Sequence, residues 1–325
     1  MQDASDRIGR VTRGHQGTKT LVIGCGFIGS RTVRELVAAE VPTAVLTRSR
    51  PSLAITDLIS EADLHLGDAT DPQVLKAALD RVGAVLFTAG GLLPAASELE
   101  PDRDAELTLK PLRTVLAALR SRPETSFAYL SSGGTVYGEP DHNPIREDAS
   151  LRPLGSYGRL HVECEKDVLH ECEQHGLRGR ILRCATVYGE GQRPERGQGA
   201  IVTFLHRVAT GIPIDLYGDG SVRDYIYVGD VARVLVALAE RHDGPTILNV
   251  GSGEGTSLAD VLDLVETEIG HPAEVIQHGV RDFEVERIVL DITRLRSLIA
   301  LETTPLSDGI TRTWEWLRSV TPELA

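Results

Sequence analysis

The sequence predicts a doubly wound, parallel α/β sheet with a smaller, mixed α/β lobe beside it. From Lys19 onwards, short segments rich in β-branched residues alternate with helical segments, in the order KTLVIG, 28–39, TAVLT, DLHL, 72–79, AVLF, 104–120 and FAYLS. Alternation at this spacing is typical of stacked βαβ units whose strands are covered on both faces. The chain has 325 residues, of which 41% are hydrophobic, and is long enough to bury a large core.

The second half of the chain is less regular. Beyond Ser131, a stretch rich in glycine and proline leads to a long helix at 154–175 and to the strand RGRILRC. Further helices are predicted near 200–209, 231–241, 257–269 and 307–318. We therefore expect a disordered tail at 1–17, a dinucleotide-binding domain formed by 18–185 with 224–250, and a substrate-binding lobe formed by 186–223 with 251–325.

The charge balance restricts the classes of partner. Lysine and arginine number 34 against 47 aspartate and glutamate residues, so the formal net charge is −13. This excess argues against non-specific binding to nucleic acid or to an anionic membrane, and an anionic substrate would need a local basic pocket. The four cysteines form no CxxC pair, which favours a reducing compartment, and we expect a cytoplasmic protein. Histidines and cysteines on the 154–175 helix lack the spacing of a zinc site, so no metal is predicted.

A glycine motif follows the first predicted strand and opens the first predicted helix. In the segment GCGFIG, Gly24 permits a tight turn, Gly26 lets the backbone approach a pyrophosphate, and Gly29 lets helix and strand pack closely. The amides of Phe27 and Ile28, at the helix N-terminus, would donate hydrogen bonds to the phosphates. In this position the motif is the dinucleotide-binding fingerprint of a Rossmann-type fold.

The residues after the second strand bear on the choice of nicotinamide cofactor. TAVLT ends at Thr47 without the carboxylate that usually binds the ribose hydroxyls of NAD. Arg48 and Arg50 follow and would suit a 2′-phosphate, which favours NADP over NAD, although both arginines would equally suit solvent. In the segment GDATD, Asp68 and Ala69 lie where the adenine would be reached, while a turn-stabilising role for Asp68 is the alternative.

These motifs occur in the order found in a known family. Between residues 18 and 317 the chain resembles the extended short-chain dehydrogenase/reductase family, in its nucleotide-sugar epimerase/dehydratase branch. The resemblance rests on GCGFIGS, GDATDP, LSSGGTVYGEP, ILRCATVYGEGQRP, YGDGSVRDYIYVGDVA, LNVGSG and VLDITRLRS. It implies a nucleoside-diphosphate sugar as substrate. It also implies a homodimer formed through the helices at 104–120 and 154–175, although helix patterning alone does not count subunits.

The resemblance also implies the catalytic residues. Tyr157 matches the tyrosine that exchanges a proton with a sugar hydroxyl, and His161 lies where the family has a lysine. Because a phenol titrates near 10, the tyrosine needs a nearby positive charge to act as a base, and histidine supplies one only when protonated. A working variant, a specialised enzyme and an inactive relative therefore all stay open. The hydroxyl that contacts the reacting oxygen is assigned to Ser132, with Thr135 as second candidate.

Substrate contacts follow from the same resemblance. Arg223 and Arg281 match arginines that bind a nucleotide diphosphate, with ion pairs to the adjacent aspartates as the alternative. Gln198, Ser132 and Thr186 are further candidates, and Thr186 replaces an asparagine usual in the family.

Three functions are compatible with these residues. The first is a nucleoside-diphosphate-hexose 4-epimerase that works through a transient 4-keto sugar and bound NAD(P). The second is an NADPH-dependent 4-ketoreductase of a deoxysugar precursor, and the third is a catalytically inactive homologue that binds nucleotide sugar or NADP. Gly133 and Gly134 occupy the region where dehydratases of the family carry an Asp-Glu pair, which argues against dehydration.

Overall fold

The computed structural model describes residues 18–51, 53–197, 199–217, 220–239, 241, 243–279 and 285–324. The strands are β1 (Lys19–Ile23), β2 (Thr43–Thr47), β3 (Leu64–Leu66), β4 (Val82–Phe87), β5 (Ser126–Ser132), β6 (Arg178–Cys184), β7 (Thr186–Tyr188), β8 (Ile214–Tyr217), β9 (Val222–Tyr227), β10 (Ile247–Val250), β11 (Gly255–Ser257), β12 (Val275–His278) and β13 (Arg287–Ile288). The helices are α1 (Phe27–Ala38), α2 (Leu53–Thr56), α3 (Pro72–Ala78), α4 (Pro94–Leu99), α5 (Pro101–Leu119), α6 (Ser156–His175), α7 (Ala200–Thr210), α8 (Val228–Leu238), α9 (Leu258–Ile269), α10 (Thr293–Leu298) and α11 (Leu306–Val320).

The larger sheet has the strand order β3-β2-β1-β4-β5-β6-β10, and each neighbouring pair is parallel. Strand β1 pairs with β2 on one side and with β4 on the other, so the chain order runs outwards in opposite directions from the β1–β4 pair. In such sheets ligands bind beyond the carboxyl ends of the strands at this point of reversal. The predicted doubly wound sheet is therefore confirmed, and its geometry directs the search for a site to the loops after β1 and β4.

Both faces of the larger sheet are buried, as the apolar strand sequences require. Successive residues of β1 point to opposite faces: Val22 packs in one core with α1 and α8, whereas Leu21 and Ile23 pack in the other core with α3, α5 and α6. The period of two in side-chain direction explains why a run such as LVI can be wholly apolar. Two helical layers thus fix the strand ends that carry the candidate site.

The smaller lobe contains a mixed sheet in the order β11-β9-β13, with β7 paired to β9, and a two-stranded sheet of β8 and β12. Helices α7, α9 and α11 pack over it in a third core that includes Tyr188, Phe204 and Leu317. Strand β9 belongs to this lobe, so residues 224–227, assigned by sequence to the dinucleotide-binding domain, lie in the smaller sheet. The chain returns to the larger sheet with α8, which packs against α1. We keep the division into two domains as a proposal, and residues 1–17 lie outside the described residues.

Helix boundaries differ slightly from those predicted. Helix α6 begins at Ser156 rather than at 154, because the Ser156 amide donates to Glu98 Oε2 at 2.7 Å and Gly155 is extended. Glu98 lies in α4, a short helix that the sequence analysis did not predict. Helix α5 begins at Pro101, three residues before the predicted start, because proline fits the first turn of a helix. Among the described helices, none combines the length and apolar character needed to cross a membrane.

Candidate active site

The turn between β1 and α1 has the geometry that the glycine motif predicts. Gly24 has φ = 94°, and a Cβ atom there would lie 2.5 Å from the Ala89 Cα, in the loop after β4. A Cβ on Gly29 would lie 1.9 Å from the Gly24 carbonyl oxygen. Only glycine fits at either position without movement of the backbone. Gly26, in contrast, has no atom within 4 Å of such a Cβ, so its backbone borders open space at the N-terminus of α1.

That open space belongs to a cleft of about 1430 Å³ between the two lobes. Its lining includes the glycine turn, Gly90 and Gly91 after β4, the loop at 190–195, and α11. An elongated dinucleotide fits such a cleft, with its pyrophosphate at the amide donors and positive dipole end of α1. The residues present therefore fit the predicted cofactor.

The cleft is locally basic although the chain is acidic. The described lining holds more basic than acidic side chains, namely Arg31, Arg34, Arg48, Arg50, Arg193 and Arg312 against Asp68, Glu190, Glu195 and Glu315. An anionic ligand needs such a basic pocket, and of these arginines only Arg48 and Arg50 were predicted from the sequence. The sequence does not single out the other four arginines, because each lies in a helix or loop where an exposed arginine is ordinary.

The end of the cleft at β2 contains Thr47, Arg48, Arg50, Asp68 and Ala69. Arg50 forms an exposed ion pair with Glu61 at 3.0 Å, and Arg48 is exposed. Asp68 Oδ1 accepts hydrogen bonds from the Thr70 amide and hydroxyl, both at 2.8 Å, and these bonds hold the pKa of Asp68 below its usual value. Asp68 thus stabilises the turn after β3, and it also borders the cleft.

Tyr157 lies in the first turn of α6, close to the loop after β5. A Cβ on its neighbour Gly158 would lie 2.7 Å from the Thr135 carbonyl oxygen, so the absence of a side chain lets helix and loop meet. The Tyr157 ring centroid lies 4.4 Å from that of His161. Burial, and then the negative charge of Asp104, raise the pKa of Tyr157 above its ordinary value. Tyr157 is therefore a protonated phenol at neutral pH in this structure.

His161 does not provide the positive charge that the tyrosine lacks. Its Nδ1 atom lies 2.7 Å from the hydroxyl of Tyr129, a buried residue of β5. Burial lowers the pKa of His161 to about 4, against the raising effect of Asp104. The ring is thus neutral at pH 7, where a lysine at the same position would be a cation. Among the described groups that act on the Tyr157 phenol, namely Asp104, Cys164 and Cys184, none is a cation.

Asp104 is a site residue that the sequence analysis missed. It lies in α5, is 1% exposed, and its Oδ1 accepts hydrogen bonds from the Leu92 amide at 2.9 Å and the Thr108 hydroxyl at 3.1 Å. Thr108 Oγ1 in turn accepts from the Gly91 amide at 2.8 Å. Among the described residues, Asp104 Oδ2 has no hydrogen-bond partner. Through Thr108, Asp104 is therefore connected to Gly91 in the cleft wall, and its charge also acts on Tyr157.

The two hydroxyl candidates lie in one turn at the end of β5. The Thr135 hydroxyl donates to the Ser132 carbonyl oxygen at 3.4 Å, and the Thr135 amide donates to the same oxygen at 3.1 Å. Ser131 points the other way, because its hydroxyl donates to buried Glu165 at 2.6 Å. Ser132 is half-buried, and Thr135 shares the loop that packs against α6. Their roles in contacting a reacting oxygen stay predictions.

Comparison with known proteins identifies the family to which this fold belongs. The profile of the NAD dependent epimerase/dehydratase family matches residues 20–251. The chain belongs to this family. A putative UDP-glucose 4-epimerase of Methanocaldococcus jannaschii is 30% identical over 91% of this chain and 97% of that protein. A dTDP-4-dehydro-6-deoxyglucose reductase of Escherichia coli is 28% identical over 88% and 93%. The UDP-glucose 4-epimerase of Thermus thermophilus, solved in complex with NAD, superimposes with a TM-score of 0.83 at 29% identity and covers 94% of this chain and 100% of that one.

The predicted membership of the epimerase/dehydratase branch is therefore confirmed, and so is the nicotinamide class of the cofactor. The preference for NADP over NAD stays a prediction, which the exposed Arg48 and Arg50 support.

The residues predicted to contact the substrate differ in position from the glycine motif, which lines the cleft. Arg223 lies on β9 and donates to the Val222 carbonyl oxygen at 3.0 Å, whereas Asp224 accepts from the amides of Ser252, Gly253 and Leu290. The Asp224 carboxylate is thus used to bind backbone amides. Neither Arg223 nor Thr186 belongs to the described lining of the cleft. Gln198 and Arg281 lie outside the described residues, so their roles stay predictions.

Gly29→Ala and Gly26→Ala form a matched pair for testing the cofactor site of this epimerase/dehydratase family member. We expect Gly29→Ala to lower the free energy of unfolding by about 1–3 kcal/mol, because its Cβ meets the Gly24 carbonyl oxygen. Gly26→Ala should leave stability nearly unchanged and weaken NAD⁺ binding at least ~10-fold, because its Cβ enters the space reserved for pyrophosphate. Urea unfolding and isothermal titration measure both effects. Unchanged NAD⁺ affinity in Gly26→Ala would place the pyrophosphate elsewhere.

Proposed function

We propose that the chain interconverts a hydroxyl and a ketone at C4 of a nucleoside-diphosphate hexose, with Tyr157 as the proton donor and acceptor. The observation that carries the proposal is the position of Tyr157 on α6. That part of α6 packs beside the Thr135 loop, and Tyr157 experiences the charge of Asp104, which is linked through the Thr108 hydroxyl to the Gly91 amide in the wall of the dinucleotide cleft. The two relatives described above are named for UDP-glucose and for dTDP-4-dehydro-6-deoxyglucose, which supports the same substrate class.

The chemistry divides between the cofactor and the protein. When bound, the nicotinamide accepts or donates the hydride at C4. Tyr157 holds or releases the proton of the sugar hydroxyl, and we expect the Ser132 and Thr135 hydroxyls, on the adjoining turn, to contact the same oxygen. The basic lining of the cleft attracts phosphorylated ligands despite the net charge of −13.

A 4-epimerase is the first candidate for the net reaction. Tyr157 would take the proton when the C4 hydroxyl is oxidised and return it after the 4-keto sugar has turned its other face. This cycle leaves the cofactor unchanged. Two of the similar proteins, from M. jannaschii and T. thermophilus, carry the name UDP-glucose 4-epimerase, and this supports the candidate.

A 4-ketoreductase is the second candidate, and a specific observation favours it. Burial and Asp104 keep Tyr157 protonated, and neutral His161 does not counteract them. A protonated phenol is ready to donate to a ketone, whereas an epimerase must first form the phenolate. Arg48 and Arg50 fit the 2′-phosphate of NADPH, the usual cofactor of biosynthetic reduction.

The net reaction is tested by incubating the purified protein with a panel of UDP- and dTDP-sugars and their 4-keto derivatives. An epimerase produces the C4 epimer with no steady change in nicotinamide absorbance, whereas a reductase oxidises one NADPH for each product. If no substrate of either kind turns over while cofactor and sugar nucleotide still bind, the inactive-homologue hypothesis replaces both.

We also propose a homodimer through the outward faces of α5 and α6. Arg113 of α5 links the two helices through exposed ion pairs with Glu163 at 2.9 Å and Asp167 at 2.7 Å, so they present one continuous surface. Light scattering on a size-exclusion column measures the mass in solution. A mass equal to one chain at micromolar concentration would contradict this proposal.

Replacing Asp104 tests the electrostatic account of Tyr157. Because the Asp104 charge raises the pKa of Tyr157, we expect Asp104→Asn to lower it. The buried groups of Cys164 and Cys184 also face the phenol and are unchanged in this variant. In the direction of alcohol oxidation, which requires the phenolate, the rising limb of kcat/KM against pH should move to lower pH. If the rising limb of the Asp104→Asn profile stays at the same pH as in the wild type, Asp104 does not act on the phenol.

A further inference from the structure

Two arginines pack against one tyrosine beside the glycine turn, and a glutamate accepts a hydrogen bond from that tyrosine. We call Arg31, Glu190, Tyr227 and Arg312 the arginine–glutamate cluster. The Tyr227 hydroxyl donates to Glu190 Oε1 at 2.5 Å, and Arg31 Nη1 lies 3.6 Å from the same oxygen. The guanidinium carbons of Arg31 and Arg312 lie 5.6 and 5.5 Å from the Tyr227 ring centroid. The cluster thus joins α1, the loop after β7, β9 and α11.

This cluster borders the place where a pyrophosphate would bind. A Cβ on Gly191, next to Glu190, would lie 3.4 Å from the ring of Phe27, the first residue of α1. Arg31 follows Phe27 by one helical turn, and helical side chains lean towards the N-terminus. Arg31, Glu190 and Arg312 all line the cleft together with Gly26. An anion at the N-terminus of α1 therefore experiences both guanidinium groups and the carboxylate.

Only one oxygen of the Glu190 carboxylate has a hydrogen-bond partner among the described residues. Among the described residues, its Oε2 atom is buried without a hydrogen-bond partner, while Oε1 serves both Tyr227 and Arg31. Arg31 has a second anionic partner in Glu35 at 3.0 Å. A carboxylate in this position attracts the arginines and repels an incoming phosphate at the same time, and partial burial strengthens both effects.

We propose that Glu190 is an internal counter-anion that pairs with Arg31 and competes with the pyrophosphate of the dinucleotide for Arg31 and Arg312, so that the cofactor exchanges readily. The inference rests on the dinucleotide site of the proposed function. An exchangeable cofactor suits a reductase, which must replace an oxidised dinucleotide after each turnover, more than an epimerase, which regenerates its cofactor in place. Glu190 thereby acts on cofactor retention without touching the reacting atoms.

Glu190→Gln tests the proposal, because glutamine keeps the shape and an acceptor for Tyr227 but removes the charge. Titration calorimetry with NAD⁺, NADPH and ADP-ribose on the full chain should show Kd values lower by ~5-fold or more, with the gain shrinking as salt is added. Adenosine, which lacks the pyrophosphate, should bind equally to both proteins. Glu195→Gln is the matched control, because it removes an exposed charge from the same cleft and should leave the three Kd values within about 2-fold.

A double variant locates the effect. Arg312→Gln alone should weaken ADP-ribose binding, and the gain from Glu190→Gln should become smaller in its presence, because the two residues act on the same phosphates. Weaker or unchanged ADP-ribose binding in Glu190→Gln would overturn the proposal, since Glu190 would then serve only to hold the arginines in place. These measurements use no sugar substrate, so failure of the proposed C4 chemistry would leave them interpretable.

Discussion

Tyr157→Phe is expected to reduce turnover of the sugar nucleotide by ~10³-fold or more, within the range for loss of a positioned general acid or base. The substitution removes one hydroxyl and keeps the ring that packs 4.4 Å from His161. Cofactor affinity and thermal stability should therefore stay close to those of the wild type. Turnover of sugar nucleotides at saturating cofactor, with NAD⁺ and NADPH titrations on the same preparations, measures the result.

Tyr225→Phe provides the matched control for this variant. Tyr225 is a buried tyrosine on β9, in the core of the smaller lobe, where its ring meets that of Tyr188 edge to face. Its loss of a hydroxyl should change turnover by less than about 3-fold. Activity in Tyr157→Phe that is comparable to the control would remove Tyr157 from the mechanism and would leave Ser132 or Thr135 as the proton-transfer candidates.

Arg183→Met is expected to lower the free energy of unfolding by about 3–5 kcal/mol, the usual range for breaking a buried ion pair. The side chains of Arg183 and Glu165 are 3% and 2% exposed, and Arg183 Nη2 donates to Glu165 Oε2 at 2.7 Å. Arg183 Nη1 also donates to the Tyr137 hydroxyl at 3.0 Å and to the Glu147 carbonyl oxygen at 2.9 Å. Methionine fills much of the volume but leaves the Glu165 charge buried and unpaired. Urea denaturation followed by circular dichroism measures the loss.

The exposed ion pairs of Arg113 give the comparison. Arg113→Met removes an arginine that is 53% exposed and contacts Glu163 and Asp167, so its free energy of unfolding should change by less than about 1 kcal/mol. Equal losses in the two variants would mean that burial does not determine the strength of the Arg183 network. Arg183 of β6 contacts Glu165 of α6, which also accepts from Ser131 of β5. Loss of Arg183 should therefore also make the position of Tyr157 on α6 less fixed.

The parts of the site that were predictable are those encoded in contiguous residues. The spacing of Gly24, Gly26 and Gly29 specifies a tight turn, and the structure shows close contacts that require glycine at Gly24 and Gly29 and open space beside Gly26. The approach of a pyrophosphate to Gly26 stays a prediction. Alternating strand and helix segments likewise predict a sheet whose order follows from short crossovers.

The properties that depend on long-range packing were not predictable. The neutrality of His161 results from burial beside Tyr129, which comes from a different strand. Asp104 reads as an ordinary acidic residue of an amphipathic helix, and only the fold places it against the Leu92 amide. Glu190 and Arg312 lie far apart in the sequence, so no local pattern indicates that they share a cleft.

Asp104 has a consequence for the energetics of ligand binding. Its carboxylate accepts a hydrogen bond from the Leu92 amide, next to Gly91 in the wall of the cleft, and raises the pKa of the phenol on α6. Any dinucleotide that displaces this wall therefore alters the proton affinity of Tyr157. By thermodynamic reciprocity, protonation of Tyr157 must then change the affinity for that dinucleotide by the same factor. For such a dinucleotide, binding and protonation of Tyr157 form one linked equilibrium.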